Sequence, residues 1–434
     1  MQRRGEQSRL PLAVAGAIGG TALAWAVAHY GATETWELYR LFLGLVASAL
    51  LVAWTLPIDS WWSQRLPALL VVGGYLLAQT AWQPSLETRG YTLASIGWLA
   101  LFISLGLATQ GRNAARGILV FFLLLGCAEA LFGLTQMLAP DDPTSYRFRV
   151  HGITGSFFNH NHFAGLLNMS LALAVGALFA SFGQRGHGRS RRSEAYARTW
   201  LILLPTAFMG LAVLLSLSRG GTLSLFSTLV FLALLLAWAR RRSSARGLSA
   251  RAVLLLCLII LGLGLAVGLG GLRQNFEEIS ASSQNRLQIY ADSLRLIGDH
   301  AVLGVGPGMY RWHFRPYQTT GLDHRYDHAH NDFLEIAADW GVPAALLFWS
   351  FVAWRLYRAC RRFLIAEAHW QQGMALGCAG AIFSILFHSL GDFNLQIPAN
   401  LAIFCSILGL AWSLERPLGT PPIGPTSGVR RSPS

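Results

Sequence analysis

Apolar residues run along this chain in blocks of roughly 20, the length a helix needs to cross the hydrocarbon core of a bilayer. About twelve such blocks lie near 10–29, 38–56, 66–82, 91–109, 118–139, 163–182, 199–215, 222–239, 252–271, 342–357, 373–390 and 398–414. They predict an all-α, polytopic integral membrane protein with about 12 transmembrane helices. The first block follows Arg3, Arg4 and Arg9 and reads as an uncleaved span. Residues 272–332 break the rhythm and predict one larger extramembrane loop of helical character. In it Leu287, Tyr290, Ala291 and Leu294 fall at i, i+3, i+4, i+7, which predicts a helix buried along that stripe. Phe333, Ile336, Ala337 and Trp340 repeat the spacing, with Asp332 as N-cap, Glu335 as its capping-box partner, and Gly341 and Pro343 ending one helix and starting the next. Gly304, Gly306, Pro307 and Gly308 read as a tight turn, because no strand precedes them.

Composition supports lipid as the solvent. Only 13% of the 434 residues are charged and 53% are hydrophobic, against about 25% charged in soluble domains. The formal charge of +13 comes from arginine alone, since the chain has no lysine. With the N-terminus inside, the dense arginine runs fall in connections on one side, near 57–65, 110–117, 183–198, 240–251, 358–372 and after 415. That is the positive-inside pattern, so topology explains the charge and nucleic-acid binding is not needed. Cys127, Cys257, Cys360, Cys378 and Cys405 lie in or beside apolar runs with no CxxC pair, and read as small core residues. The chain divides into N-terminal transmembrane helices (1–117), a polar-rich membrane region (118–415) and a Pro-rich, disordered cytoplasmic tail (416–434).

The opposite face collects the residues able to do chemistry. Asp327-His328-Ala329-His330-Asn331-Asp332 offers imidazoles, and His330 and His328 are candidate general bases because neutral imidazole accepts a hydroxyl proton. Arg219, Arg286, Arg149 and Arg147 lie near the membrane boundary on that face, either snorkelling to headgroups or binding phosphate oxygens as guanidinium forks. Asn159, His160, Asn161 and His162 precede a span, as helix caps or as hydrogen-bonding partners of a sugar or phosphate. A zinc site built from His160, His162, His328 and His330 is a further alternative. His388, Asp392 and Asn394 form either a buried polar cluster between helices or part of the site.

In this order, Gly155 to Phe163 (G-S-F-F-N-H-N-H-F), Ser218-Arg219-Gly220, Asn285-Arg286, Leu303 to Gly306, His328 to Asn331 and His388 to Asn394 resemble the O-antigen ligase and polymerase superfamily. The resemblance covers most of residues 120–410. It implies a GT-C-like fold and an inverting, metal-independent glycosyltransferase without cofactors. That enzyme would sit in the bacterial inner membrane, with both termini cytoplasmic and the active site periplasmic. The donor would be a glycan on undecaprenyl pyrophosphate; the acceptor would be a hydroxyl of lipid A-core, of a growing glycan or of a protein. Carried over residue by residue, it implies His330 as base with His328 in reserve. It likewise implies Arg219, Arg286 and Arg149 at the pyrophosphate; from its place on the same face Arg147 is a further candidate there, and Asn159, Asn161, His162, Asn331 and Asp392 are candidates for supporting acceptor or site. The Asn-His-Asn-His run departs from the asparagine-proline-asparagine form common in ligases and looks more like exopolysaccharide-associated members, which keeps ligase and polymerase both open. A transporter of small anions or lipid-linked saccharides is the alternative from a different class; it should show repeated halves and charges near the midplane, and the chain shows no repeat.

Overall fold

The computed structural model describes residues 9–82, 88–138, 152–182, 189–242, 262, 276–321 and 325–416. Among the described residues there is no β-strand. The N-terminal helices are α1 (Arg9–Ala28), α2 (Thr35–Thr55), α3 (Leu66–Trp82), α4 (Thr88–Ala108) and α5 (Arg112–Thr135). After them come α6 (His160–Phe182), α7 (Arg189–Leu215), α8 (Arg219–Arg242) and α9 (Phe276–Asp299). The C-terminal part holds α10 (Asp332–Trp340), α11 (Val342–Ile365), α12 (His369–His388) and α13 (Pro398–Ser413). Among the described residues seven helices are long and apolar enough to cross a membrane: α1, α2, α4, α5, α6, α8 and α12. Shorter apolar helices cover 66–79, 199–215 and 398–413. The block at 342–357 lies in α11, which continues into Arg358, Arg361 and Arg362; the block at 252–271 and the tail from 417 lie outside the described residues.

At the centre α6 packs along α12, with α5, α7, α8 and α11 around the pair. Small residues permit the approach: a Cβ on Gly373 would stand 2.3 Å from the Gly176 carbonyl oxygen, and one on Gly176 2.2 Å from that of Gly373. Lipid tails are as apolar as side chains, so helices in a bilayer gain from close backbone packing more than from hydrophobicity. α1, α2, α4 and α13 form an adjoining group. The four cysteines within the described residues are free thiols; Cys257 lies outside them.

The two ends of the bundle differ in charge. At one end Glu415 accepts from Arg355 and pairs with Arg358 (3.1 Å) and Arg65 (3.8 Å), while Arg416 bonds Asp59 and the Thr109 carbonyl. These belong to connections that the arginine pattern assigns to one side. At the other end a small second core joins Ile289, Leu296 and Ile297 of α9 to Val305, Met309, Tyr310, Phe314 and Ala338. α9 therefore turns a different face inward from the predicted one. Ile289, Asp292, Ser293 and Leu296 are buried, whereas Leu287 is 66% and Leu294 58% exposed. The true stripe includes a buried aspartate held by Thr319, which apolar periodicity cannot register.

The close contact of α6 and α12 gives a stability prediction. G373A drives a methyl group into the Gly176 carbonyl and should cost about 1–3 kcal/mol, as overpacking does. G74A, where nothing lies within 4 Å, should be neutral or better. Melting temperatures in detergent compare them directly.

Candidate functional site

The site is built on α10, a helix of 9 residues outside the candidate spans. Its inward stripe is acidic: Asp332, Glu335 and Asp339 are at most 2% exposed, with Ile336 and Ala338 beside them. Carboxylates are buried at such cost only when their oxygens are occupied, and each of these holds a different loop. Asp332 accepts from Ser389 Oγ (2.7 Å) and the Leu395 N–H (3.2 Å). Glu335 meets His328 Nδ1 at 2.7 Å and accepts from the Ala329 N–H at 2.9 Å. Asp339 accepts from the N–H groups of Gly308 (2.7 Å) and Tyr310 (2.9 Å), fixing the glycine-rich turn. The cap expected of Asp332 is made by Asn331, whose Oδ1 accepts from Phe333 N and Leu334 N. Glu335 reaches back past that cap to Ala329, so no capping box forms with Asp332. Apolar spacing missed this because Asp and Glu are almost never fully buried; their own i, i+3, i+7 spacing was the available signal.

These ties bring His328 and His330 against the turn 388–394. Phe393 is the hub: His328 stacks on it with centroids 4.0 Å apart, while His330 (5.0 Å) and His162 (4.7 Å) meet it edge-on. His330 adopts φ +51, a left-handed conformation that costs a side-chain-bearing residue about 1–2 kcal/mol. Its carbonyl accepts from Tyr290 Oη at 2.9 Å, and the Asp332 N–H donates to the carbonyls of Ser389 and Asp392. Within the described residues His330 Nδ1 has no hydrogen-bond partner, and neither has either ring nitrogen of His388 or Asp392 Oδ2. His388 Nε2 lies 3.9 Å from Asp392 Oδ2.

Electrostatics keep the histidines uncharged. Burial lowers His330 to about 4; Arg286 and His328 reinforce this and Asp392 opposes it. Burial also lowers His328 to about 4, with Arg311 and Arg89 reinforcing and Asp327 opposing. Glu335 is raised to about 8 by burial, aided by the charges of Asp327 and Asp392. Each partner of the Glu335–His328 pair is thus pushed towards its neutral form. For Asp392 burial acts upward, and the Phe393 N–H, which donates to Oδ1 at 2.8 Å, acts against it. His328 also lines a cavity of about 110 Å³, shared with Arg89, Arg311, Asp327 and Gln396.

Three more segments reach this turn. Arg286 Nη1 donates to the Gly391 carbonyl at 3.0 Å. Ser218 caps α8 through the Gly221 N–H and donates to Asn161 Oδ1 at 2.6 Å, joining the N-termini of α6 and α8. A Cβ on Gly220, next to Arg219, would stand 3.1 Å from His388 Nε2. Arg219 itself is exposed, and the preceding Leu217 has φ +57. Among the described residues neither Arg219 nor Arg286 has a carboxylate within ion-pair distance. Asn159 caps α6 through the Asn161 N–H (2.9 Å), and Asn331 Nδ2 donates to Leu390 O, so both asparagines have structural duties. Among the described residues no group of three His, Cys, Asp or Glu side chains is placed to hold a metal. Arg147, Arg149 and His151 lie outside the described residues. Glu335 and Tyr290, read from the sequence as a capping-box partner and a stripe residue, and Phe393 are members of the cluster that sequence reasoning did not place in the site.

The architecture is that of an all-helical, multi-span membrane protein with a polar cluster at one end of its bundle. Residues 204–349 match the family model described as O-antigen ligase, a stretch that includes Arg219, Arg286, His328, His330 and Asn331. The match covers about a third of the chain; it supports a relationship to the O-antigen ligase and polymerase family and a function of that general kind. No curated protein matches the chain.

The Asp339 ties can be tested apart from function. D339A leaves the buried N–H groups of Gly308 and Tyr310 without acceptors, at about 1–3 kcal/mol each. The melting temperature should drop and proteolysis should enter near residues 304–310, with D339N less affected.

Proposed function

We propose that the protein transfers a glycan from undecaprenyl pyrophosphate to an acceptor hydroxyl, at the periplasmic face of a bacterial inner membrane, without a metal. The observation that carries this reading is the meeting of His330, Arg286 and the Arg219–Gly220 turn on the single turn 388–394. An imidazole that is neutral at ordinary pH can take the acceptor proton as the hydroxyl oxygen bonds the anomeric carbon. The bond from that carbon to the pyrophosphate oxygen breaks, and the departing negative charge stays with the lipid pyrophosphate. Arg286 and Arg219, which have no carboxylate within ion-pair distance among the described residues, are suited to receive it. Displacement by the hydroxyl from the face opposite the leaving group inverts the anomeric centre. Lipid A-core, a growing polymer or a protein side chain would supply the same nucleophile, so the chemistry serves ligase and polymerase alike.

Three measurements test this. H330A should reduce transfer about 10²–10⁴-fold, the usual contribution of a positioned base, and R286A should weaken donor use. Normal surface glycan from both variants, with normal membrane insertion, would overturn the reading. In a deletion strain, long polymer left on undecaprenyl identifies a ligase and single repeat units a polymerase; purified protein that moves lipid-linked saccharide without releasing undecaprenyl pyrophosphate is a transporter. The pH profile is the third. Because the His330 pKa is lowered to about 4, the base is neutral above that pH, so the acid limb of kcat/KM should lie towards pH 4 and not near 6.5. Donor pyrophosphate stabilises imidazolium, so the acid limb of kcat should lie at higher pH than that of kcat/KM.

A further inference from the structure

We infer that Glu335 is a positioning residue that sets the backbone and orientation of His330 by clamping the two residues before it. The inference rests on the proposed transfer reaction with His330 as base. One carboxyl oxygen of Glu335 lies 2.7 Å from His328 Nδ1 and the other 2.9 Å from the Ala329 nitrogen. The carboxyl is 2% exposed, so both oxygens are committed. Immediately after this clamp the chain turns through the left-handed conformation of His330. On the far side Tyr290 holds the His330 carbonyl and Asn331 begins α10 as its cap. A strained residue persists only where its surroundings over-determine it, and Glu335 secures the N-terminal half of that constraint. With both oxygens engaged by His328 and Ala329, Glu335 acts through the loop.

Glu335 also governs which ring nitrogen of His328 carries the proton. A protonated Glu335 donates to Nδ1 and leaves the hydrogen on Nε2; an ionised Glu335 accepts from Nδ1–H and frees Nε2 as an acceptor. The charged groups facing the pair are Asp327 on its own loop, Arg311, Arg89 of α4 and Asp392, with Asp332 and Asp339 along α10. His330 faces Asp392, Arg286 of α9 and His328.

The experiment uses the full-length protein in liposomes, with an undecaprenyl-pyrophosphate-linked glycan as donor, and compares wild type, E335A, E335Q and H330A. E335A frees the loop, and misplacing a catalytic group by about 1 Å costs on the order of 10²-fold. That loss should appear in kcat, with donor KM within a few-fold of wild type. E335Q keeps an oxygen for the Ala329 N–H and an NH₂ for Nδ1, so it should restore most of kcat near neutral pH. Glu335 is raised to about 8, so the wild-type rate should inflect near that pH as the carboxyl ionises. The E335Q rate should not. E335A with wild-type kcat, or an inflection that survives in E335Q, overturns the inference. Should E335A fail to fold, the E335Q pH profile decides alone. Full activity in H330A would instead remove the transfer reading, while an inactive H330A beside an unaltered E335A removes only the role of Glu335.

Discussion

The arrangement depends on three buried carboxyl groups on one short helix. Asp332, Glu335 and Asp339 lie on the inward face of α10, and each is tied to a different loop: 389–395, 328–329 and 308–310. An uncompensated buried carboxylate would be expelled or neutralised. Tying each one to a loop satisfies the oxygens and orders chain that has little apolar surface to order it. Burial raises all three above the ordinary carboxylate range. α10 is therefore a rigid peg, and the loops carrying His330 and Phe393 take their places from it.

Much of the fold was legible in the sequence, since apolar blocks about 20 residues long admit few structures other than helices in lipid. The polar cluster was legible as a list of segments: HAHN, the Ser218-Arg219-Gly220 turn, Arg286 and the 388–394 turn all reach one place. What failed was the choice of face. On α9 the predicted stripe of Leu287, Ala291 and Leu294 points outward, and on α10 the acids expected at the helix start turn inward. Hydrophobic periodicity assumes that the inside of an element is apolar. In both helices an acid with loop donors to bind occupies the inner face, and those donors are far along the chain. Asp292 is held by Thr319, and Asp332 by Ser389 and Leu395. No local window contains that information.

The cluster also holds buried polar atoms without hydrogen-bond partners among the described residues. Buried polar atoms are nearly always satisfied, and most here obey. Ser218, Asn161, Asn168 and Gly221 close one circuit between α6 and α8, and Gln136 and Glu129 hold the segment at 154–156. Within the described residues the exceptions are spread over the bundle, at Trp61, Gln372 and Arg355 among others, and they include His330 Nδ1, both nitrogens of His388, Asp392 Oδ2 and Asn394 Nδ2 around Phe393. Those around Phe393, where Arg286 enters, would gain from a polar partner.

The two ends of the bundle hold their charges differently. At the Glu415 end Arg355, Arg358 and Arg65 converge on one carboxylate, and Arg416 takes Asp59. Those four arginines share two carboxylates and hold connections together. Arg286 is instead held by the Gly391 carbonyl, a neutral acceptor that fixes the guanidinium while leaving its charge intact. The N-termini of α6 and α8, joined through Asn161 and Ser218, add partial positive charge of the same sign beside it. A positive field held by neutral ligands is costly to maintain unless an anion arrives; in the transfer proposed above, a pyrophosphate that becomes more negative as its glycosidic bond breaks would draw the greatest stabilisation from it at that moment.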